Sequence, residues 1–453
     1  MASKVFIGAG AGFACDRTDA AGPVADTLAS LPGARFLIFE TLAERTLAQS
    51  QLDRRRDAAR GYNPALERFV GPVLARCLRD GIKIIGNFGA ANPSAAAARI
   101  QAMAHAQGLR APRIGVVDGD DLTALLSPAE LAARETGGAV LRNATEIIAA
   151  NLYLGAEPIA QALDQGADIV VTGRVADSAL ALGPLIHAFG WKLDDWGRLA
   201  AGTLAGHLLE CGSQITGGYF ADPPFKTVSG MADLGYPIAE IDPDGGMVIT
   251  KPAATGGRVD RFTVIEQLLY EIHDPSAYLA PDVVLDITDV TVEEVAPDRV
   301  RVTGARGKPA PKATVCVDGG VLGEAEISYA GPNAAARARL AAQTIGERMN
   351  RRAPGLVFRV DAVGVVSVLG DAGGALARPW ASDPGDVRLR FAAQSKIAAE
   401  VELLLDEVEA LYCAGPAGGA GVRKRLTPRL ASASCLIERK YALPRVTLTG
   451  GSP

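Results

Sequence analysis

The chain is poor in the residues that most often carry chemistry. Its 453 residues include only four histidines, at 105, 187, 207 and 273, so a histidine-rich metal site is not expected. Its six cysteines, at 15, 77, 211, 316, 413 and 435, are far apart and form no Cys-x-x-Cys pair. That pattern speaks for free thiols and against a disulfide framework. Aromatic residues are sparse, and the net charge of −5 is spread along the chain with no basic stripe. Nucleic acid is therefore not the expected partner. No run of 18 apolar residues occurs, and the opening Met-Ala-Ser-Lys lacks a signal-peptide hydrophobic region. A membrane span is not expected, and the expected location is cytoplasmic. Catalysis, if any, must rest on carboxylates, Arg, Asn, Ser, Tyr or Cys.

What the chain does have is a set of short apolar runs, each followed by a glycine-, asparagine- or acid-rich tail. Val5–Ile7 leads into Gly8-Ala-Gly-Ala-Gly-Phe-Ala-Cys-Asp16-Arg17-Thr-Asp19. Phe36–Phe39 leads into Glu40-Thr-Leu-Ala-Glu44-Arg45. Ile82–Ile85 leads into Gly86-Asn87-Phe-Gly89-Ala-Ala-Asn92-Pro93, and Ile169–Val171 into Thr172-Gly-Arg174-Val-Ala-Asp177-Ser178. Alternation of such runs with helical stretches predicts parallel strands near 4–8, 35–39, 82–86, 113–117 and 168–172. The expected fold is α/β: an N-terminal parallel-sheet βα domain, Rossmann-like and doubly wound, over residues 1–255. A smaller α+β domain is expected over 256–453, where β-branched strands and helices segregate. Residues 221–260, rich in Pro, Gly and Asp, are expected to be irregular. In open α/β sheets ligands bind beyond the carboxyl ends of the strands, so the tails are expected to converge on one crevice.

Each tail carries a functional and a structural reading. Gly8 to Gly12 approaches a dinucleotide fingerprint, but the third glycine comes one place early, so a tight βα turn is the simpler expectation and no cofactor is assigned. Asp16 and Arg17 then need a partner or a ligand. Gly89 and Asn92 belong to a loop whose following helix start could hold an anion, or Asn92 could merely cap that helix. Asn87 is placed to orient a polar substrate. Arg174 could grip a carboxylate bidentately with Asp177 as base, or the two could pair to hold their loop. Glu40 and Glu44 could form a carboxylate pair with one raised pKa, beside Arg45. His207-Leu-Leu-Glu210-Cys211 sets His and Cys one helical turn apart, as a nucleophile with its base, as metal ligands, or as a packed helix face. Ser178, Gln214 and Tyr219 would line the same cleft. Gly415 to Arg425 is a glycine loop feeding three cations, a lid or a solvated loop.

Together these segments resemble the acyclic terpene utilisation family. Tyr153-Leu-Gly-Ala-Glu-Pro158, Gly206-His-Leu-Leu-Glu-Cys-Gly212 and Gly323-Glu-Ala-Glu-Ile-Ser-Tyr-Ala-Gly-Pro332 extend the likeness over nearly the whole chain. The resemblance implies breakdown of citronellol- and geraniol-type compounds through branched acyl-CoA intermediates. Longer relatives carry a C-terminal ferredoxin-like domain, which implies a separate small subunit of that fold here, alongside a homo-oligomer. The expected function is a lyase or hydratase using acid/base chemistry on a branched carboxylated substrate, with CoA as part of it. Glu40, Asp177, Arg174 and Asn87 are the catalytic candidates. The alternatives are a non-catalytic subunit binding an acyl-CoA or a small partner, and a hydrolase using carboxylates with a divalent metal.

Overall fold

The computed structural model describes residues 3–136, 141, 147–310, 313–316, 321–365, 385–395, 397–428 and 433–451. Two compact units emerge: Met1–Val317 with Ser432–Pro453, and Asp318–Ala431.

The first unit is built on a ten-stranded mixed sheet. Its centre is five parallel strands: β1 (Val5–Gly12), β2 (Ala34–Glu40), β3 (Lys83–Gly86), β4 (Ile114–Asp118) and β7 (Ile169–Thr172), side by side in the order 1-2-3-7-4. Antiparallel strands extend both edges. Beyond β1 lie β8 (Ile238–Ile241), β9 (Met247–Thr250), β13 (Arg299–Thr303) and β12 (Thr291–Ala296), and beyond β4 lies β21 (Arg445–Thr449). The sheet is thus mixed, not wholly parallel. Two small sheets complete the unit. One joins β5 (Glu135–Thr136), β20 (Ser434–Ile437), β15 (Ala313–Cys316) and β6 (Asn151–Leu152); the other joins β10 (Tyr278–Leu279), β11 (Val284–Asp286) and β14 (Arg306–Lys308).

Helices cover both faces of the central strands. On one side, α1 (Ala21–Ser30), α3 (Leu66–Asp80) and α4 (Pro93–Ala106) pack on Leu37, Ile84, Val116 and Val171. On the other, α6 (Glu157–Asp164), α7 (Ala179–Phe189) and α8 (Trp196–Glu210) pack on Ile7, Ile38, Ile85 and Val170. The remaining helices of this unit are α2 (Glu44–Arg56), α5 (Pro128–Ala132) and α9 (Arg261–Leu269). The handedness of parallel crossovers accounts for the split. From β1 to β4 the chain steps one way across the sheet with its helices on one face. It then turns back to insert β7 between β3 and β4, which sends α6 to the opposite face. Local sequence agrees: Leu66, Phe69, Val70, Val73, Leu74 and Cys77 form the buried stripe of α3, and Gly81 closes it at φ 69°.

Three expectations need correction. The glycines after Val5 do not form a turn, because β1 runs on to Gly12 with a bulge between Ala9 and Ala11. They are small because neighbours crowd the strand: a Cβ on Gly12 would lie 2.2 Å from the Gly212 nitrogen and 2.3 Å from the Cys211 carbonyl carbon. Residues 221–260 are not all irregular, since the hairpin β8–β9 pairs onto β1. That hairpin, with β12 and β13, places a division at 255 inside the first unit, so the unit boundary falls near 317.

The second unit is α+β. Strands β16 (Val321–Ala330), β17 (Phe358–Val363), β18 (Asp386–Ser395) and β19 (Ala420–Pro428) form an antiparallel sheet in the order 17-18-16-19. Helices α10 (Ala334–Arg352) and α11 (Ala398–Ala414) pack Ile345, Met349, Val401 and Leu404 onto Ile327, Leu389 and Phe391. This strand–helix–strand, strand–helix–strand order is ferredoxin-like. A unit of the topology expected from a separate small subunit is therefore built into this chain. The cations read as following a glycine lid, Arg423 to Arg425, lie in β19; Lys424 pairs with Asp406 and Glu409 of α11.

Candidate functional site

Beyond the carboxyl ends of β1, β2 and β7 lies a cleft of about 470 Å³, closed on its far side by the end of α8 and the turn that follows. The topology prepares this position. Neighbouring strands β3 and β7 send their chains to opposite faces, through α4 and α7, and the divergence opens a crevice. Gly12 contributes by admitting the Glu210–Gly212 backbone directly against β1.

Glu40, at the end of β2, sits on the cleft floor. Its Oε1 accepts the Leu42 N–H at 2.8 Å and the Asn87 Nδ2–H at 3.0 Å, which leaves Oε2 for a ligand. Asn87 is fully buried beneath it, and its Oδ1 accepts the Thr41 N–H at 2.7 Å. Burial pushes the Glu40 carboxyl up from the usual carboxylate range, against the opposing pull of these two hydrogen bonds and of Arg174.

Arg174 is buried and already engaged. It contacts the Leu42 carbonyl, lies 3.0 Å from Asp177 and stacks its guanidinium 4.0 Å from the Tyr153 ring centroid. Burial opposes its charge, but Asp177, Tyr153, Glu44 and Glu40 more than offset that and keep it cationic. Behind it, Asp120 accepts the Arg174 N–H at 3.0 Å and the Asn151 amide at 2.7 Å; burial pushes Asp120 up to about 6. Glu44 meets the Tyr153 hydroxyl, and Glu44 and Asp177 also line a smaller neighbouring cavity of about 240 Å³ that includes Ser178.

Across the cleft, Glu210 is buried at the end of α8. Its Oε1 lies 2.8 Å from His207 Nδ1, while Oε2 is buried and has no hydrogen-bond partner among the described residues. Nε2 of His207 faces the Leu268 carbonyl at 3.3 Å, which can only accept, so Nε2 carries a proton. Burial pulls His207 down, but the Glu210 charge and hydrogen bond and the Leu268 and Gln267 carbonyls outweigh it, and the net shift is upward. Both ring nitrogens are taken, so His207 cannot serve Cys211 as a base. Burial and the Glu210 charge push the Cys211 thiol up, away from the reactive thiolate.

The remaining candidates divide. Asp16, Gln214 and Tyr219 line the cleft, although Asp16 also closes its own loop by accepting the Gly12 and Arg17 N–H groups. Arg17 turns away to Asp19 and the Leu234 carbonyl, and Arg45 is exposed outside the cleft. Asn92 caps α4, its Oδ1 accepting from Ala95 N at 3.3 Å and its Nδ2 donating to the Ala58 and Arg60 carbonyls. Gly89 is buried against Thr172 and Pro93. Neither Gly89 nor Asn92 is among the cleft-lining residues. Sequence reasoning missed Glu210, Glu271 and Tyr270. Glu210 was in view, three residues after His207 on one helical face. Glu271 holds a left-handed φ of 58°, a strained backbone at the cleft rim that no residue pattern announces.

Fold and site define a mixed-sheet α/β protein with a carboxylate-rich cleft at the carboxyl ends of its parallel strands. Residues 5–448 match the family model described as acyclic terpene utilisation family protein AtuA. The chain belongs to that family. Among curated proteins and among solved structures nothing matches it. Among the described residues, no helix is long and apolar enough to cross a membrane.

Proposed function

We propose that the chain is an acid/base enzyme of the lyase or hydratase type, adding or removing water across a branched acyclic substrate of the kind the family name denotes. The observation that carries this is Glu40: a buried carboxyl that lines the cleft and is oriented through one oxygen, Oε1, by Asn87 and Leu42. In its acid form Glu40 protonates a leaving hydroxyl, the C–O bond breaks, and water departs. A carboxylate across the cleft, Glu210, takes the proton from the adjacent carbon, and the alkene forms. Hydration is the same path reversed. Arg174 braces Asp177 and the Leu42 carbonyl in this reading and does not anchor a substrate carboxylate, since its guanidinium is already in use.

Among the described residues the cleft bears six carboxyl side chains, from Asp16, Glu40, Glu44, Asp177, Glu210 and Glu271, and one guanidinium. An anionic reacting end would be repelled there, so a thioester substrate fits only with the CoA phosphates outside. The metal-hydrolase alternative draws no support from the donor set: among the described residues no group of three His, Cys, Asp or Glu side chains is arranged to hold an ion. The test is incubation of the protein in H2(18)O with branched alkenols, hydroxy acids and acyl-CoA esters, read by mass spectrometry. Label uptake that disappears in Glu40→Gln supports the assignment. Uptake undiminished in that variant, or none from any compound, counts against it.

A further inference from the structure

We infer that the cleft recognises an organic cation: a single diffuse positive charge on a branched alkyl chain, seated between Glu210 and Glu40 beneath an aromatic rim. This rests on the acid/base reading above and adds to it the charge of the group that the site grips.

Three independent observations point the same way. Glu210 is only 7% exposed, lines the cleft, and has one oxygen satisfied by His207 while Oε2 has no hydrogen-bond partner among the described residues. A carboxylate oxygen can only accept, and leaving it buried without a donor is costly, so the missing partner is a donor or a positive charge. Second, the one cation lining the cleft among the described residues, Arg174, is already engaged by Asp177, the Leu42 carbonyl, the Tyr153 face and, at 4.0 Å, Glu44, so a single guanidinium stands against several carboxyl groups. Third, the rim presents aromatic surface. Tyr219 is 85% and Phe13 55% exposed, and Tyr219 meets Tyr270 edge-on with ring centroids 6.4 Å apart. Aromatic faces attract diffuse cations such as alkylammonium ions. A compact metal ion would need converging oxygen ligands, and among the described residues no such group exists.

The same arrangement serves the proposed chemistry. Loss of water from a protonated tertiary or allylic alcohol leaves positive charge on carbon, and carboxylates fixed in a buried cleft stabilise that charge as it develops. An alkylammonium ion then mimics the transition state, whereas the alcohol mimics only the ground state.

Calorimetric titration with 3-methylbutylammonium, 3-methylbutan-1-ol, 3-methylbutanoate and magnesium chloride, each alone at neutral pH, tests the inference. The ammonium ion is expected to bind at least about tenfold more tightly than the alcohol, with affinity falling as salt is added, and the carboxylate is expected not to bind. Glu210→Gln should weaken the ammonium by about tenfold or more. Tyr219→Ala, on an exposed ring whose loss leaves the core intact, should weaken it several-fold even if the first variant folds poorly. Equal binding of alcohol and ammonium, preference for the carboxylate, heat from magnesium alone, or undiminished binding in both variants overturns it. Uptake of (18)O without ammonium binding removes the cation inference and leaves the acid/base reading standing. Ammonium binding without any uptake does the reverse.

Discussion

Replacing His207 by leucine should be among the most damaging single changes around the cleft, and its pH signature tells why. The ring is 1% exposed, held between Glu210 at 2.8 Å and the Leu268 carbonyl at 3.3 Å, with the Tyr278 ring centroid 5.6 Å away. Because Nε2 must donate to Leu268, the proton between Nδ1 and Glu210 belongs to the pair. Leucine removes it and strands a buried carboxyl, a loss on the order of 3–5 kcal/mol. Glu210→Gln is milder, about 1 kcal/mol, since the new amide can donate to Nδ1 of a neutral imidazole. The sign of the pH effect follows from the raised His207 pKa. Its stabilisation is complete below the ordinary imidazole value near ~6.5 and is lost as pH climbs through the folded value, at up to about 1.4 kcal/mol per pH unit. Melting curves from pH 6 to 9 should therefore show a decline in the native chain that both variants lack. If both keep the native slope, or if leucine costs less than glutamine, the shared-proton argument is wrong.

Other expectations are more local. Gly12→Ala should destabilise by roughly 1–3 kcal/mol in thermal melts and abolish ligand binding, because its Cβ meets backbone at 2.2 Å and pushes the end of α8 off β1. Asn87→Leu, nearly isosteric, should cost about 2–4 kcal/mol in urea titrations by leaving the Thr41 N–H without its partner and Glu40 with only the Leu42 N–H. It should also move the Glu40 carboxyl further upward, seen as an alkaline limb displaced to higher pH in the pH–rate profile of dehydration. Alkylation with iodoacetamide at pH 8 should modify exposed Cys15 and Cys413 well before Cys211 or Cys77, as peptide mapping would show; early labelling of Cys211 would revive thiol chemistry.

Much of the first unit could be read from residue order. The parallel strands show as apolar runs because both their faces are covered, and α3 shows as a 3.6-residue stripe because one face is. The polar tails at 16, 40 and 174 do reach one cleft, since strand ends in a parallel sheet all point the same way, and the turn after α8 brings Gln214 to it, whereas Asn87 lies beneath Glu40. The β8–β9 hairpin escaped notice because four-residue strands amid Pro, Gly and Asp carry little periodicity. The Gly8–Gly12 repeat was mistaken for a turn because the demand for small residues came from Phe39 and from Gly212, distant in sequence.

Residue order was thus enough for the direction of the central parallel strands and for the helix faces, both of which depend on local pattern. Long-range packing alone settled which polar groups face the cleft and which are consumed. Arg174 met Asp177, as spacing allowed, but also Leu42 and Tyr153, and Asn87 went under Glu40 instead of into the cleft. The reason is physical: a buried polar group must find partners, those partners come from elements far apart in the chain, and only the closed fold brings them within reach.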